Sequence, residues 1–302
     1  MSSILGQSTA PAALAPSAET APVRRLVVTC DDRAGIVSAI AGFLADAGAN
    51  IITSDQFSTE RGSGRFFLRM QFEQSAGSDR GELEARFESE VAQRFAMQWR
   101  IWEAGRPKRV ALLVSRYDHC LLDLLWRWQR GELEAEIGLV ASNHDELRGV
   151  VESFGLPYHH VPVEKDRKPE AEARLLELLG DEFDLVVLAR YMQILSAEFL
   201  DRLGVPVINI HHSFLPAFAG AGPYERARER GVKLIGATAH YVSPELDAGP
   251  IIEQDVIRVS HADSTAELER LGADIERGVL ARAVKWHCED LVIRDGNTTI
   301  VF

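Results

Sequence analysis

Cysteine is scarce in this chain: Cys30, Cys120 and Cys288 are the only three in 302 residues, far apart and with no CxxC pair. That spacing argues against a disulfide framework or a structural zinc site and fits reduced thiols in a cytoplasm. Long apolar runs are also missing. None reaches the ~20 residues a bilayer-spanning helix needs, so no membrane partner is expected. Positive charge is in deficit, with 33 Lys and Arg against 45 Asp and Glu and a net charge of -12. Such a chain disfavours nonspecific binding to DNA or RNA, and no nucleic-acid partner is expected. The opening "MSSILGQSTAPAALAPSAETAP" lacks the basic and continuous apolar segments of a signal peptide. Its Ala, Pro and Ser content predicts a disordered tail over 1–22 and a cytoplasmic protein.

Apolar content is ample. Hydrophobic residues make up 46% of the chain, enough for two cores at this length. The first unit is expected over 23–104. "RRLVVTC" is β-rich, and "DDRAGIVSAIAGFLADAGANI" carries helical spacing through Ile36, Ile40, Phe43, Leu44 and Ala47. Asp31 and Asp32 are candidate caps for that helix, and Gly48 its end. "IITSDQFST" and "GRFFLRMQFE" alternate as strands joined by "ERGSG"; "RGELEARFESEVAQRF" is a second helix and "AMQWRIW" a fourth strand. The order β-α-β-β-α-β predicts a ferredoxin-like α+β unit.

After the linker "EAGRPKR" the rhythm changes, and a second unit is expected over 105–302. "RVALLVS" is a continuous apolar run suited to a parallel strand buried on both faces. Helical and β-rich segments then alternate as far as "PVINIHH", which predicts a doubly wound, mostly parallel, Rossmann-like sheet with ligands at its C-terminal strand ends. No GxGxxG follows the first strand of this unit; Ser115, Arg116, Tyr117, Asp118 and His119 stand there instead. Dinucleotide binding is therefore unsupported.

The polar residues of "VINIHHSFLPAFAGAGPY" are out of place at the end of a buried strand. Alternation puts Asn209 and His211 on one face, with Ile208 and Ile210 on the other and His212 on the opposite face from His211. Two His on opposite faces, with no carboxylate at ligand spacing, do not make a metal site, and no metal is expected. Asn209 and His211 alone can be read as a polar plug or as chemistry. Downstream, "GVKLIGATAHYVSPELDAGPIIEQDVI" holds a strand ending in His240 and a loop with Asp247 and Gly249. Asp247 can be a turn-forming residue or a general base.

Two family resemblances sharpen these readings. "DDRAGIVSAIAGFLADAGANI" resembles ACT domains, which commonly bind amino acids and pair through their sheets. The resemblance implies an effector site at Asp32, Gly35, Ile36, Asn50 and Ile51, for glycine or methionine, and a homo-oligomer. "NIHHSFLPAF", "GATAHYV" and "LDAGPII" resemble the formyltransferase fold that uses 10-formyltetrahydrofolate. That second resemblance covers Arg109 to Phe302. It places Asn209, His211 and Asp247 on the catalytic trio and "ARYMQILS", Ala189 to Ser196, along the pterin pocket. Substrate contacts then fall to Tyr191, Met192, Gln193, Ile194, Leu195, His240 and Val242, and the folate is the substrate, with no cofactor.

Within that fold the acceptor is expected to be water. Glycinamide-ribonucleotide formyltransferases carry a small-residue loop after the first strand, where backbone amides hold a phosphate. Here Tyr117, Asp118 and His119 replace it. The tRNA-directed branch adds a C-terminal nucleic-acid-binding domain, for which the chain has neither length nor charge. The N-terminal ACT-like unit, "HCLLDLL" and "PAFAGAGPYERARERGVKLIGATAHY" look like the deformylase branch, which releases formate for purine synthesis and balances the folate pool. One departure is Gly222 in "GAGPY", where that branch leads us to expect Asn. A transferase to a small amine and a non-catalytic amino-acid sensor are the competing expectations.

Overall fold

The computed structural model describes residues 21–60, 64–75, 77–164, 166–217 and 222–302. The tail expected over 1–22 lies outside the described residues except for its last two, and so does most of the "ERGSG" turn. The chain divides into two units between Ala104 and Gly105.

The first unit consists of β1 (Val23–Asp31), α1 (Ile36–Asp46), β2 (Asn50–Ser58), β3 (Arg65–Glu73), α2 (Arg80–Phe87), α3 (Gln93–Phe95) and β4 (Gln98–Glu103). A π-helical turn, Glu88–Ala92, joins α2 to α3. The strands form one antiparallel sheet in the order β2-β3-β1-β4, the ferredoxin-like arrangement. Alternate residues of β1 and β3, among them Leu26, Val28, Leu68 and Phe72, pack against Ile40 and Leu44 of α1 and Phe87 of α2.

The helix start differs from the expected one. Asp31 stays in β1, paired with Arg65, and Gly35 occupies the cap position of α1 without a side-chain bond. The Asp32 amide donates instead to the Gly64 carbonyl. Continuing the strand pairing to Asp31 takes the carboxylates away from the helix end.

The second unit holds β5 (Lys108–Val114), α4 (His119–Gln129), β6 (Ala135–Ser142), α5 (Arg148–Ser153), β7 (Tyr158–His160), α6 (Lys168–Leu179), β8 (Leu185–Leu188) and α7 (Ala197–Leu203). It continues through β9 (Val207–His211), α8 (Pro223–Glu229), β10 (Leu234–Tyr241), β11 (Ile251–Arg258), α9 (Thr265–Cys288) and a hairpin of β12 (Val292–Asp295) and β13 (Thr298–Val301). The main sheet runs β11-β10-β9-β8-β5-β6-β7. Its five strands β5 to β9 are parallel, while β10 and β11 join antiparallel.

Both faces are covered, which explains the continuous apolar run of β5. Val110, Leu112 and Val114 pack under α4, α5 and α9, whereas Ala111 and Leu113 pack under α6 and α7. Sequence order reverses at β5, with β6 and β7 on one side and β8 and β9 on the other. Such a switch point leaves a crevice at the C-terminal strand ends, because the loops from β5 and β8 leave in opposite directions. No helix among the described residues is long and apolar enough to cross a membrane.

Candidate active site

The site begins with strand register. β9 lies between β8 and β10, and His240 of β10 pairs directly with Asn209. Ile208 and Ile210 belong to the core beneath α9, and Val207 to the opposite layer. Asn209 and His211 therefore share the face of Val207, as alternation requires. Directly paired residues share a face, and Asn209 Nδ2 lies 3.2 Å from His240 Nε2.

The direction of that hydrogen bond follows from the other ring nitrogen. His240 Nδ1 lies 2.9 Å from the Tyr241 carbonyl, which can only accept, so Nδ1 carries the proton. Burial pushes this imidazole below its ordinary range, only partly offset by that carbonyl and by Asp247. The neutral ring accepts at Nε2 from Asn209, fixing the amide with its nitrogen towards His240. One N–H of Asn209 is used there and one is left for a ligand.

Asp247 arrives on the loop from Val242 to Pro250. The loop is held at both ends: the Val242 amide donates to the Val207 carbonyl, and the Tyr241 amide to the Pro250 carbonyl. Gly249 allows this closure, since a Cβ there would stand 1.8 Å from the Tyr241 carbonyl oxygen, the atom that orients His240. Asp247 itself is left-handed, with φ 56°, a conformation that Asp tolerates better than most residues. Its side chain is 7% exposed, with Oδ2 3.3 Å from His211 Nδ1 and Oδ1 3.9 Å from His240 Nε2. His211 Nε2 is buried and has no hydrogen-bond partner among the described residues. A buried ring nitrogen left open beside a carboxylate and an amide marks the place where a reacting oxygen would be held.

These groups lie in a cleft of about 230 Å³. Asn209, His211, Asp247, Tyr191, Met192, Gln193, Ile194, Leu195, His240 and Val242 all line it, so the ten residues named for catalysis and substrate are brought together. Met192, Ile194 and Leu246 are exposed although apolar, which suits a flat apolar ligand that would cover them. The Met192 amide donates to Ser115 Oγ, which donates in turn to Asn143 Oδ1. The end of β5 thus anchors the segment that follows β8.

Sequence reasoning gave Arg190 no role of its own within the "ARYMQILS" segment, and it misplaced His212. Arg190 is left-handed, with φ 64°, and lines the cleft. Its signal was the non-glycine residue in the tight turn after β8, which periodicity does not reveal. His212 lies beyond the end of β9, where strand alternation ceases to apply, and it borders the cleft instead of facing away. Burial, reinforced by the Arg190 charge, pushes it down to about 3.

His212, His240 and His287 are all held below the ordinary imidazole range, chiefly by burial. An unfolded chain would protonate them near pH 6.5, so it binds more protons than the folded one below that pH. Stability is therefore full above about pH 6.5 and falls as the pH drops, by on the order of 1.4 kcal/mol per pH unit for each ring. Thermal melts from pH 7.5 to 5 check this; a constant midpoint would refute it.

After β5, where a phosphate loop would stand, the structure has a histidine hydrogen-bonded to a buried carboxylate. His119 at the start of α4 meets Glu276 of α9 through Nε2 and Oε2 at 2.8 Å, and Tyr224 donates to Glu276 Oε1 at 2.7 Å. Burial raises the Glu276 carboxyl, but His119, Arg190 and Tyr224 outweigh it and hold it at about 2. His119, Cys120 and Glu276 lie close enough to share a metal. Burial raises the Cys120 thiol well above its ordinary range, and the Glu276 oxygens accept from His119 and Tyr224. Gly222 takes φ 64° before α8. Asn also tolerates that region, so glycine preserves the loop form the resemblance calls for.

The residues named for an effector do not gather within one unit. Asp32, Gly35 and Ile36 follow the end of β1, where Asp31 pairs with Arg65, whereas Asn50 pairs with Glu73 at the end where β1 begins. Eight residue steps along β1 separate these ends, roughly 27 Å.

An amide, an imidazole and a carboxylate at the strand ends of a doubly wound sheet, beside an apolar slot, define a group-transfer enzyme of the acyl type. A family model described as formyl transferase matches residues 108–284, and an ACT domain model matches 24–88. A formyltetrahydrofolate deformylase from Mycobacterium bovis is 57% identical over 93% of this chain and 91% of its own length. The crystal structure of a formyltetrahydrofolate deformylase from Pseudomonas syringae superposes with a TM-score of 0.89 at 48% identity, covering 94% of this chain and 95% of that one. A glycinamide ribonucleotide transformylase from Symbiobacterium toebii reaches 0.61 at 27% identity, over 67% of this chain and 97% of its own. The chain belongs to the formyl transferase family and, within it, to the formyltetrahydrofolate deformylases.

Proposed function

We propose that the chain hydrolyses 10-formyltetrahydrofolate to formate and tetrahydrofolate. The observation that carries this reading is the buried, unpartnered His211 Nε2 beside Asp247 and Asn209 at the floor of an apolar cleft. The pterin lies against Met192, Ile194 and Leu195, with the formyl carbon at the strand ends. Asp247 takes a proton from water as the water oxygen bonds to the formyl carbon. The carbonyl pair moves onto oxygen and is held by the free Asn209 N–H and by His211 Nε2–H. Collapse breaks the bond to N10, Asp247 returns the proton to that nitrogen, and formate leaves. No metal or redox cofactor takes part in this scheme.

Water as the acceptor is supported by the buried Glu276 where a phosphate would otherwise be held, because its negative charge repels that anchor. Formate released this way would serve purine synthesis and balance the folate pool. The ACT unit would take an amino-acid effector such as glycine or methionine and pair in a homo-oligomer; a monomer on sedimentation would count against that pairing. The decisive assay is formate release from 10-formyltetrahydrofolate with no acceptor added, with and without those amino acids. Turnover only upon addition of an amine would favour a transferase; folate binding without turnover would favour a sensor.

Gly249→Ala tests the loop. The added methyl meets the Tyr241 carbonyl oxygen and moves Asp247 and the His240 support together. Turnover is expected to fall roughly 10²-fold, since a displacement near 1 Å has that effect at a reacting centre. Initial rates measured beside a thermal melt check it, and an unchanged rate in a folded variant would separate the loop closure from catalysis.

A further inference from the structure

A second cavity of about 300 Å³ adjoins the folate cleft and shares Arg190, Met192 and His212 with it. Arg190, Met192 and His212 thus stand between the reacting centre and a second opening. Arg190 stands at the junction, 6% exposed. Its Nε and Nη1 are buried without a hydrogen-bond partner among the described residues. Glu276 lies 3.4 Å from Nε as a charge neighbour, but its oxygens are engaged by His119 and Tyr224. The guanidinium carbon also lies 4.7 Å from the Tyr117 ring centroid, a packing that holds the plane. An arginine kept left-handed, buried and under-bonded is costly to keep, and such residues concentrate where a ligand completes them.

We propose that this cavity is the departure site of the one-carbon product, in which Arg190 receives the carboxylate of formate; this rests on the hydrolytic reading above. The ligand class follows from the donor set. A buried guanidinium with open N–H groups takes a small carboxylate through charge-assisted hydrogen bonds. Glu225, Glu269 and Glu276 also line the cavity, and their charges oppose the anion, so Arg190 holds it weakly and release is favoured over trapping. With the pterin still seated, formate leaves sideways past Arg190 and His212, so the small product need not wait for the large one.

The test uses ¹³C-formate titrated into the full chain without folate and followed by NMR, beside inhibition of turnover by sodium formate. Arg190→Gln is expected to weaken formate binding at least tenfold, and Arg190→Lys to restore part of it. Ala273→Phe fills the cavity from α9 and leaves Arg190 in place; it is expected to raise the formate inhibition constant and slow steady-state turnover. Single-turnover cleavage of the formyl group should stay unchanged in that variant. Formate binding that is absent in the wild type, or equal in wild type, Arg190→Gln and Ala273→Phe, overturns the proposal. So does an amine that occupies the cavity and is formylated. Should Arg190→Gln fail to fold, wild type and Ala273→Phe decide alone. A protein that releases no formate refutes the hydrolytic reading instead, while the folate-free titration still reports on the cavity.

Discussion

Asp247→Asn is expected to lower formate release from 10-formyltetrahydrofolate by at least two orders of magnitude while the protein stays folded, in line with the loss of a general base. The substitution suits the position. Asp247 holds φ 56°, and Asn is the other common side chain that tolerates this conformation, so the loop keeps its form. Alanine would mix backbone strain with lost chemistry. The amide nitrogen cannot take a proton from water or return one to N10, whereas its volume and its reach to His211 remain. Steady-state rates, read beside the melting midpoint of the same sample, check this. Near wild-type turnover would remove Asp247 from the mechanism and return it to the turn-forming role that local sequence also permits.

His211→Ala is expected to lower kcat by roughly 10²-fold or more, the usual effect of removing one oxyanion donor, with folate binding retained. In the proposed pose the pterin rests on residues 191–195 and the loop after Val242, and His211 meets the formyl end of the same cleft. The ring's Nε2 has no partner in the free protein, so its removal leaves no protein group newly unsatisfied there. Its Nδ1 lies 3.3 Å from Asp247, which makes a second effect, a less well oriented base, part of the same kcat loss. Equilibrium binding of a non-hydrolysable folate together with kcat separates the two contributions. Lost binding at unchanged kcat would make His211 a structural partner of the loop.

Much of the site was legible because strand geometry is local. Period-two alternation set Asn209 and His211 on one face from five residues, and the continuous apolar run of β5 predicted a strand covered on both sides. His212 lay one residue past the strand, where that rule stops, and its place beside Arg190 was not readable. The capping of α1 failed for a related reason: β1 continued to Asp31 because Arg65, over thirty residues away, pairs with it. The effector residues were gathered by motif, yet sheet register sets them at opposite ends.

By itself the sequence determined the two units and most of their strand and helix order, which depend on spacing and side-chain type that neighbours along the chain supply; the trio Asn209, His211 and Asp247 and the missing phosphate loop came from the family resemblance. Only the tertiary structure decided which way Asn209 turns, because that depends on a His240 ring oriented by the Tyr241 carbonyl on another strand. It also decided that Arg190 is buried with open donors, that Glu276 reaches back from α9 to the end of β5, and that Gly249 must lack a Cβ. Each of these is a contact between segments distant in sequence, and such contacts are set by packing and register, which periodicity along a single chain does not encode.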